Sequence, residues 1–242
     1  MSFSWALLVP MANEEKEFDF FIQSLIASLD KLPPGNVYLV VDHVSKDKTL
    51  DLCKVLSVKD NRFHTVWAPE NKNVVDAYIR GYKEALKSDA DYIIEMDAGL
   101  SHDPVELGKF LKHLQEGIPC VYGSRFIHGG SMGDSPANRQ WLSKGGTILA
   151  NLLLGTRLKD MTSGYQGFHR SIVVSFTAYP LRSKAHFYQT EIRYLLRKYK
   201  YIEIPIYYKS PSPGVSAKAI KNSLMTLLFY CWRRLTLRPI SL

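Results

Sequence analysis

Short apolar runs alternate with stretches of helical period through the first 126 residues, and no other feature limits the fold as much. WALLVPM (5–11) precedes EEKEFDFFIQSLIASLDKL, in which Phe18, Phe21, Ile22, Leu25, Ile26 and Leu29 share one helical stripe. VYLVVDH (37–43) leads to a helix opening at Asp47 or Thr49. RFHTVWAP (62–69) precedes NVVDAYIRGYKEALK, DYIIEMD (91–97) precedes DPVELGKFLKHL, and CVYGSRF (120–126) closes the series. This β-α-β-α order predicts an α/β fold with a doubly wound, mostly parallel sheet and helices on both faces. Such sheets bind ligands beyond the carboxyl ends of their strands. Those ends carry Asn13-Glu14, Asp42-His43, Asp97 and Ser124-Arg125.

Past residue 126 the rhythm changes. FIHGGSMGDSPANR is a polar, glycine-rich loop, long enough to suggest a functional segment. A helical stretch, QWLSKGGTILANLLLG, comes next, then the compact DMTSGYQGFHR. A helix at FYQTEIRYLLRKY (187–199) leads into a strand at YIEIPIYYK (201–209), and the pattern is helical again from Ala217. No repeat or linker divides the chain. The expectation is one domain over 1–216, its halves meeting near 126, followed by a tail at 217–242; 242 residues suffice for one large α/β core.

Several classes are excluded. There is no GxGxxG after the first strand and no GxxxxGK[ST], which argues against a dinucleotide site and a P-loop. Cys53, Cys120 and Cys231 are widely spaced, without a CxxC, which suggests packed thiols in a reducing compartment. MSFSWALLVPM lacks a basic lead and reads as a buried strand rather than a signal peptide. No run approaches the roughly 18 apolar residues of a membrane span. A net charge of +8 fits either a solvated basic surface or a phosphate-rich partner, and the placement of the basic residues has to decide.

The blocks VPMANEE (9–15), VDHVSKDKT (41–49), MDAGLSHDP (96–104), YGSRF (122–126), NRQWLS (138–143), KDMTSGYQGFHR (159–170) and FYQTEIRYLLRKYKYIEIPIYYKSPSPGVS (187–216) occur in that order. Together they resemble family 2 glycosyltransferases of the GT-A fold, and among them the polyprenyl-phosphate (dolichol-phosphate) mannosyl- and glucosyltransferases. The resemblance implies a nucleotide-sugar pocket lined by Pro10, Asn13, Glu14, Asp42, His43, Asp47, Asp97 and Ala98. From the residues alone, Asn13 could simply cap a helix, as could Asp47 and Thr49, while Asp42 can accept hydrogen bonds from a base or ribose. His43 stands where the family usually has a second carboxylate.

Asp97 matches the first aspartate of the family's DxD motif, whose paired carboxylates hold Mg2+ or Mn2+ against the donor diphosphate; Gly99 replaces the second. Mg2+ often binds through one or two carboxylates plus phosphates and water, so Asp97 alone can serve with weakened affinity. His102 and Asp103 are nearby substitutes, although Asp103 reads better as a helix cap. Arg125, Arg139 and Ser143 are expected on acceptor or donor phosphate, the last two sharing a helix face.

By resemblance, Asp160 and Glu191 lie near the acceptor. Either could be a general base for a hydroxyl acceptor. A phosphate acceptor is already ionised at neutral pH, second pKa about 6, and needs only positioning. The family's R-x-x-G-x-S-K is matched at Gly214 and Ser216, with Pro211 and Ala217 replacing its cations and Lys209 and Lys218 as substitutes. The tail from Lys218 to Arg238 has an interfacial composition, apolar along one stripe and basic at its ends.

The expected activity is inverting transfer of a hexose from a GDP-mannose or UDP-glucose type donor to a polyprenyl phosphate. The expected place is the cytoplasmic face of a membrane, with the tail or a membrane-anchored partner subunit as anchor and no nucleic-acid partner. A glycan or small hydroxyl acceptor, and a catalytically silent sugar-nucleotide-binding subunit, are the alternatives.

Overall fold

The computed structural model describes residues 3–99, 101–133, 135–209 and 216–242. The first strand, β1 (Trp5–Met11), runs through the middle of the sheet and is buried on both faces. A near-continuous apolar run is what a parallel strand covered on both sides requires. Its side chains alternate as the pleat dictates. Ala6 and Leu8 join one hydrophobic core, while Trp5, Leu7, Val9 and Met11 join the other.

The other strands are β2 (Asn36–Val41), β3 (Phe63–Trp67), β4 (Tyr92–Glu95), β5 (Cys120–Ser124), β6 (Gln166–His169) and β7 (Tyr201–Pro205), in the order β3-β2-β1-β4-β6-β5-β7. All pairings are parallel except those of β6, which runs antiparallel between β4 and β5. The mostly parallel sheet read from the sequence is present. The antiparallel strand inside DMTSGYQGFHR is new, because QGFH is too short and glycine-broken to give an alternating signal. Several expected strands are also shorter than read, with their polar ends turning out of the sheet.

Helices α1 (Phe18–Leu29), α2 (Thr49–Lys59) and α4 (Leu107–Gln115) cover one face. On the other lie α3 (Val74–Ala85), α5 (Ala137–Leu154), α6 (Arg170–Thr177), α7 (Tyr188–Leu195) and α8 (Ala217–Leu235). A short 3-10 turn at Pro104–Glu106 precedes α4. α8 packs on α5. Arg234 of α8 reaches the carbonyls of Leu152 and Leu153 at 3.4 and 3.2 Å, where a cation complements the end of the α5 dipole.

β1 lies between β2 and β4, so the chain leaves it toward opposite edges of the sheet in its successive connections. The carboxyl ends of β1 and β4 meet at that switch point, the place where sheets of this kind bind ligands. The register, Leu8 opposite Glu95, brings the turn after Met11 beside the turn that holds Asp97.

Candidate active site

The turn after β1 is locked to the loop after β2. Asn13, at φ 60°, donates its N–H to Ser45 Oγ (3.0 Å) and its side-chain amide to Val44 O (3.3 Å), and its Oδ1 accepts from Lys46 N (2.9 Å). It does not cap α1, whose N-cap is Glu17. Asp47 braces the same loop, accepting from Thr49 N, Thr49 Oγ1, Ser45 Oγ and Glu15 N. Its slight burial pushes the carboxyl up, but these donors outweigh it and hold the group at about 2. Asp47 thus holds the loop after β2 to the turn after β1. Asp42 is buried and accepts from Val44 N at 2.9 Å, His43 is exposed at the loop, and Pro10 is half-buried at the end of β1.

Asp97 is held from three sides. Glu95 and Asp97 share one strand-side direction, and Tyr82 and Tyr78 share one stripe of α3, so the tyrosines meet the carboxylates in pairs. Tyr78 donates to Asp97 Oδ1, and Tyr82 donates to Glu95 Oε2 at 2.8 Å. The Asp97 N–H donates to His102 Nδ1 at 3.2 Å, which leaves the ring proton on Nε2. Burial pushes the His102 pKa down despite the Asp97 charge, so the ring is neutral and the 3.7 Å approach of Nδ1 to Asp97 Oδ2 is no ion pair. On the third side lies Gly164, where a Cβ would sit 2.9 Å from both Asp97 carboxylate oxygens. Only glycine lets that backbone approach so closely.

The next turn bends at Gly99, φ 74°, with Ala98 half-buried before it. A Cβ on Gly99 would sit 3.2 Å from Glu14 Oε2. Burial first, then the charges of Asp47, Glu17 and Asp97, push the Glu14 carboxyl up to about 6. The suggested substitutes for the absent carboxylate are committed elsewhere. His102 takes the Asp97 N–H, while Asp103 accepts from Val105 N and pairs with Lys209 Nζ at 2.5 Å. Lys209, expected as a phosphate ligand, is half-exposed in that pair.

On the acceptor side Arg125 and Asp160 form a buried bidentate pair, Nε to Oδ2 at 2.7 Å and Nη2 to Oδ1 at 2.8 Å. Asp160 also accepts from Arg125 N, Thr162 N and Thr162 Oγ1. Burial alone would raise its pKa; the Arg125 charge and hydrogen bonds bring it to about 2. Arg193 of α7, fully buried, donates to the carbonyls of Asp160 and Ser163 and lies 4.7 Å from the Tyr122 ring centre. Arg139, half-buried in the first turn of α5, and Arg125 lie 5.9 and 5.6 Å from the centre of the Tyr208 ring, so one aromatic side chain gathers both guanidinium groups. Ser143 is half-buried one turn further along α5, and Lys218 is exposed in the first turn of α8. Pro211 and Gly214 lie outside the described residues.

Glu191, expected near the acceptor, is fully buried. Its Oε1 accepts from Arg182 N at 2.8 Å and Tyr230 Oη at 2.7 Å, and its Oε2 accepts from Ser183 N at 2.8 Å. It ties the loop before α7 to α8, and three protein donors hold its two oxygens in place. The sequence reading missed Glu95, Tyr78, Tyr82 and Tyr188. Glu95 is fully buried, receives Tyr188 and Gln166 on Oε1 and Tyr82 on Oε2, and is pushed up to about 8 by burial.

The sequence pattern of glycosyl transferase family 2 matches residues 6–176. The polyprenol monophosphomannose synthase of Mycolicibacterium smegmatis is 27% identical over 219 residues, 89% of this chain and 81% of its own. The undecaprenyl-phosphate mannosyltransferase of Micrococcus luteus is 27% identical over 243 residues, 96% of this chain and 97% of its own. Among solved structures, the glucosyl-3-phosphoglycerate synthase of Mycobacterium tuberculosis, in complex with Mn2+, uridine diphosphate and phosphoglyceric acid, superposes with a TM-score of 0.67 at 16% identity. The match covers 94% of this chain and 78% of that one, a likeness of fold. With the strand order, the switch point between β1 and β4 and a family match over most of its length, the chain belongs to glycosyltransferase family 2 and is a glycosyltransferase of the GT-A fold.

Proposed function

We propose that this protein transfers a hexose from a nucleotide diphosphate sugar to a polyprenyl phosphate at the cytoplasmic face of a membrane, with inversion at the anomeric carbon. The observation that carries the reading is the state of the acceptor-side carboxylates. Asp160 is saturated by protein donors and held at about 2, far too weak a base to deprotonate a hydroxyl, while Glu191 accepts from Arg182 N, Ser183 N and Tyr230 Oη. A phosphomonoester needs no base, its second pKa being about 6. Its oxygen attacks the anomeric carbon, the bond from that carbon to the diphosphate breaks, and the nucleoside diphosphate leaves. The names of the two mannosyltransferase relatives, both lipid-phosphate enzymes, support this acceptor.

In this reading residues 1–126 serve the donor and 127–216 the acceptor. Arg139 and Ser143 bind acceptor phosphate, Arg125 shapes their pocket through Tyr208, and Asp42 faces the base or ribose. Asp97 suits a hard divalent cation, Mg2+ or Mn2+. Its carboxylate is oriented by Tyr78 and remains 27% exposed. Among the described residues no group of three or more His, Cys, Asp or Glu forms a cage, so substrate phosphates and water would complete the shell. Such a cation neutralises charge on a departing diphosphate.

The paired helices α5 and α8 support a membrane surface. Trp141, Ile148 and Leu152 on one helix and Leu224, Leu228 and Trp232 on the other are exposed. Neither helix contains an aspartate or glutamate, and both carry lysine and arginine. Apolar residues ringed by cations alone fit an anionic bilayer. No described helix is long and apolar enough to cross a membrane. The test is transfer of label from GDP-mannose and from UDP-glucose to extracted polyprenyl phosphate, with co-sedimentation on anionic vesicles. Lipid-soluble label from one donor is expected; none from either would overturn the reading.

A further inference from the structure

We infer that Glu14 supplies the second carboxylate of the divalent-cation site, reaching across from the β1 turn into the space that opens where Gly99 lacks a side chain. The inference rests on the proposed use of a cation at Asp97. Its geometry is specific to this chain. An aspartate at position 99 would need its Cβ 3.2 Å from Glu14 Oε2, so the glutamate carboxylate already borders the volume that the residue-99 side chain would fill. Glu14 and Asp97 arrive there because β1 and β4 are neighbours in register at the switch point of the sheet.

The Glu14 backbone is fixed for this task. Its N–H donates to the buried Thr49 Oγ1 at 2.8 Å, and its carbonyl accepts from Glu17 N at 3.1 Å. Its side chain is different: among the described residues no hydrogen-bond donor or cationic group reaches the carboxylate. The surrounding charges are Asp47, Glu17 and Asp97, all of one sign. A half-buried carboxylate among like charges and without a donor is a costly arrangement that a bound cation relieves. Oxygen ligands from two carboxylates, completed by a diphosphate and water, are what Mg2+ or Mn2+ accepts.

The test measures Mn2+ binding by electron paramagnetic resonance of free Mn2+, with GDP and with UDP, and binding of each nucleotide in EDTA. The variants are Glu14→Gln, Asp97→Asn and the double variant E14Q/G99D, all checked for folding by thermal melt. Glu14→Gln is expected to weaken Mn2+ binding by at least about tenfold, no less than the loss of an outer-shell partner costs. The loss of Mn2+ affinity should exceed any loss of nucleotide affinity in EDTA. The double variant, whose carboxylate now grows from residue 99, should regain most of the Mn2+ affinity. An unchanged Mn2+ affinity in Glu14→Gln, an equal loss of nucleotide affinity in EDTA, or a folded double variant as weak as Glu14→Gln would each overturn the inference. If Asp97→Asn also binds Mn2+ normally, the proposed cation site at Asp97 has failed, which is a separate outcome.

Discussion

Replacing Asp160 by asparagine separates a structural carboxylate from a catalytic one. In the folded protein the Asp160 oxygens receive the Arg125 guanidinium twice, the Arg125 N–H, and the N–H and hydroxyl of Thr162, with no solvent exposure. Asparagine keeps the shape but puts an amide N–H2 against a buried cation. Breaking a buried pair by removing one partner costs about 3–5 kcal/mol. For a chain of this size that is a fall in Tm of roughly 6–20 °C. Thermal melts of Asp160→Asn, Arg125→Met and the double variant measure it, and the double variant should fall less than the sum of the two singles. A pH signature accompanies the loss. Because the carboxyl sits at about 2 when folded against an ordinary 3.8, its stabilisation is whole above about pH 4 and disappears as pH falls through 2. Asp160→Asn should lack that step. If it melts within a degree or so of the wild type while losing all turnover, the carboxylate acts on substrate and the pairing argument is wrong.

Three further outcomes follow from the same geometry. Gly164→Ala forces the Asp97 carboxylate to move by about 0.5 Å, from a 2.9 Å approach to ordinary contact, and Tyr78 resists the swing. At about 100-fold per ångström of misplacement, kcat should drop roughly tenfold with little change in Tm, and a wild-type kcat would refute it. Glu95→Gln tests the buried acid. Its carboxyl is raised from 4.5 to about 8, so wild-type stability falls as pH rises across that window, where the unfolded chain has already released the proton. Denaturant melts of Glu95→Gln should show a flatter profile, and parallel profiles for the two proteins would count against the shift. Glu191→Gln should lower Tm by loosening α8 and the loop at Arg182 and Ser183, in step with Tyr230→Phe; loss of kcat without loss of Tm would return Glu191 to the role of base.

The sheet was legible because β1, β2 and β4 are buried on both faces and so read as unbroken apolar runs. β6 was not, since its order depends on neighbours β4 and β5 rather than on its own QGFH. Asp97 could be located from its strand end, as could Arg125. What the residues touch was hidden. Tyr78 and Tyr82 look like core in NVVDAYIRGYKEALK, and only the pairing of an i, i+4 helix stripe with Glu95 and Asp97 turns them into donors. Glu14 and Gly99 are 85 positions apart, and their meeting follows from strand order, which local pattern does not carry.

Burial divides the carboxylates around this switch point into two groups with opposite duties. Glu95, Asp160 and Glu191 have no exposure, and each accepts at least three hydrogen bonds from protein donors. A carboxylate sealed inside the protein has to be satisfied by the protein, which leaves it nothing to offer a ligand. Asp97 and Glu14 sit at strand ends with water access and are under-provided, Asp97 with one hydroxyl and Glu14 with no described donor. Unmet acceptor capacity at the switch point of a sheet is what a cation or a sugar-nucleotide hydroxyl can use. On that ground the proposed cation site falls to the two half-buried acids at the β1 and β4 ends. The three sealed acids serve instead to hold α3, α7 and α8 against the sheet that positions those two.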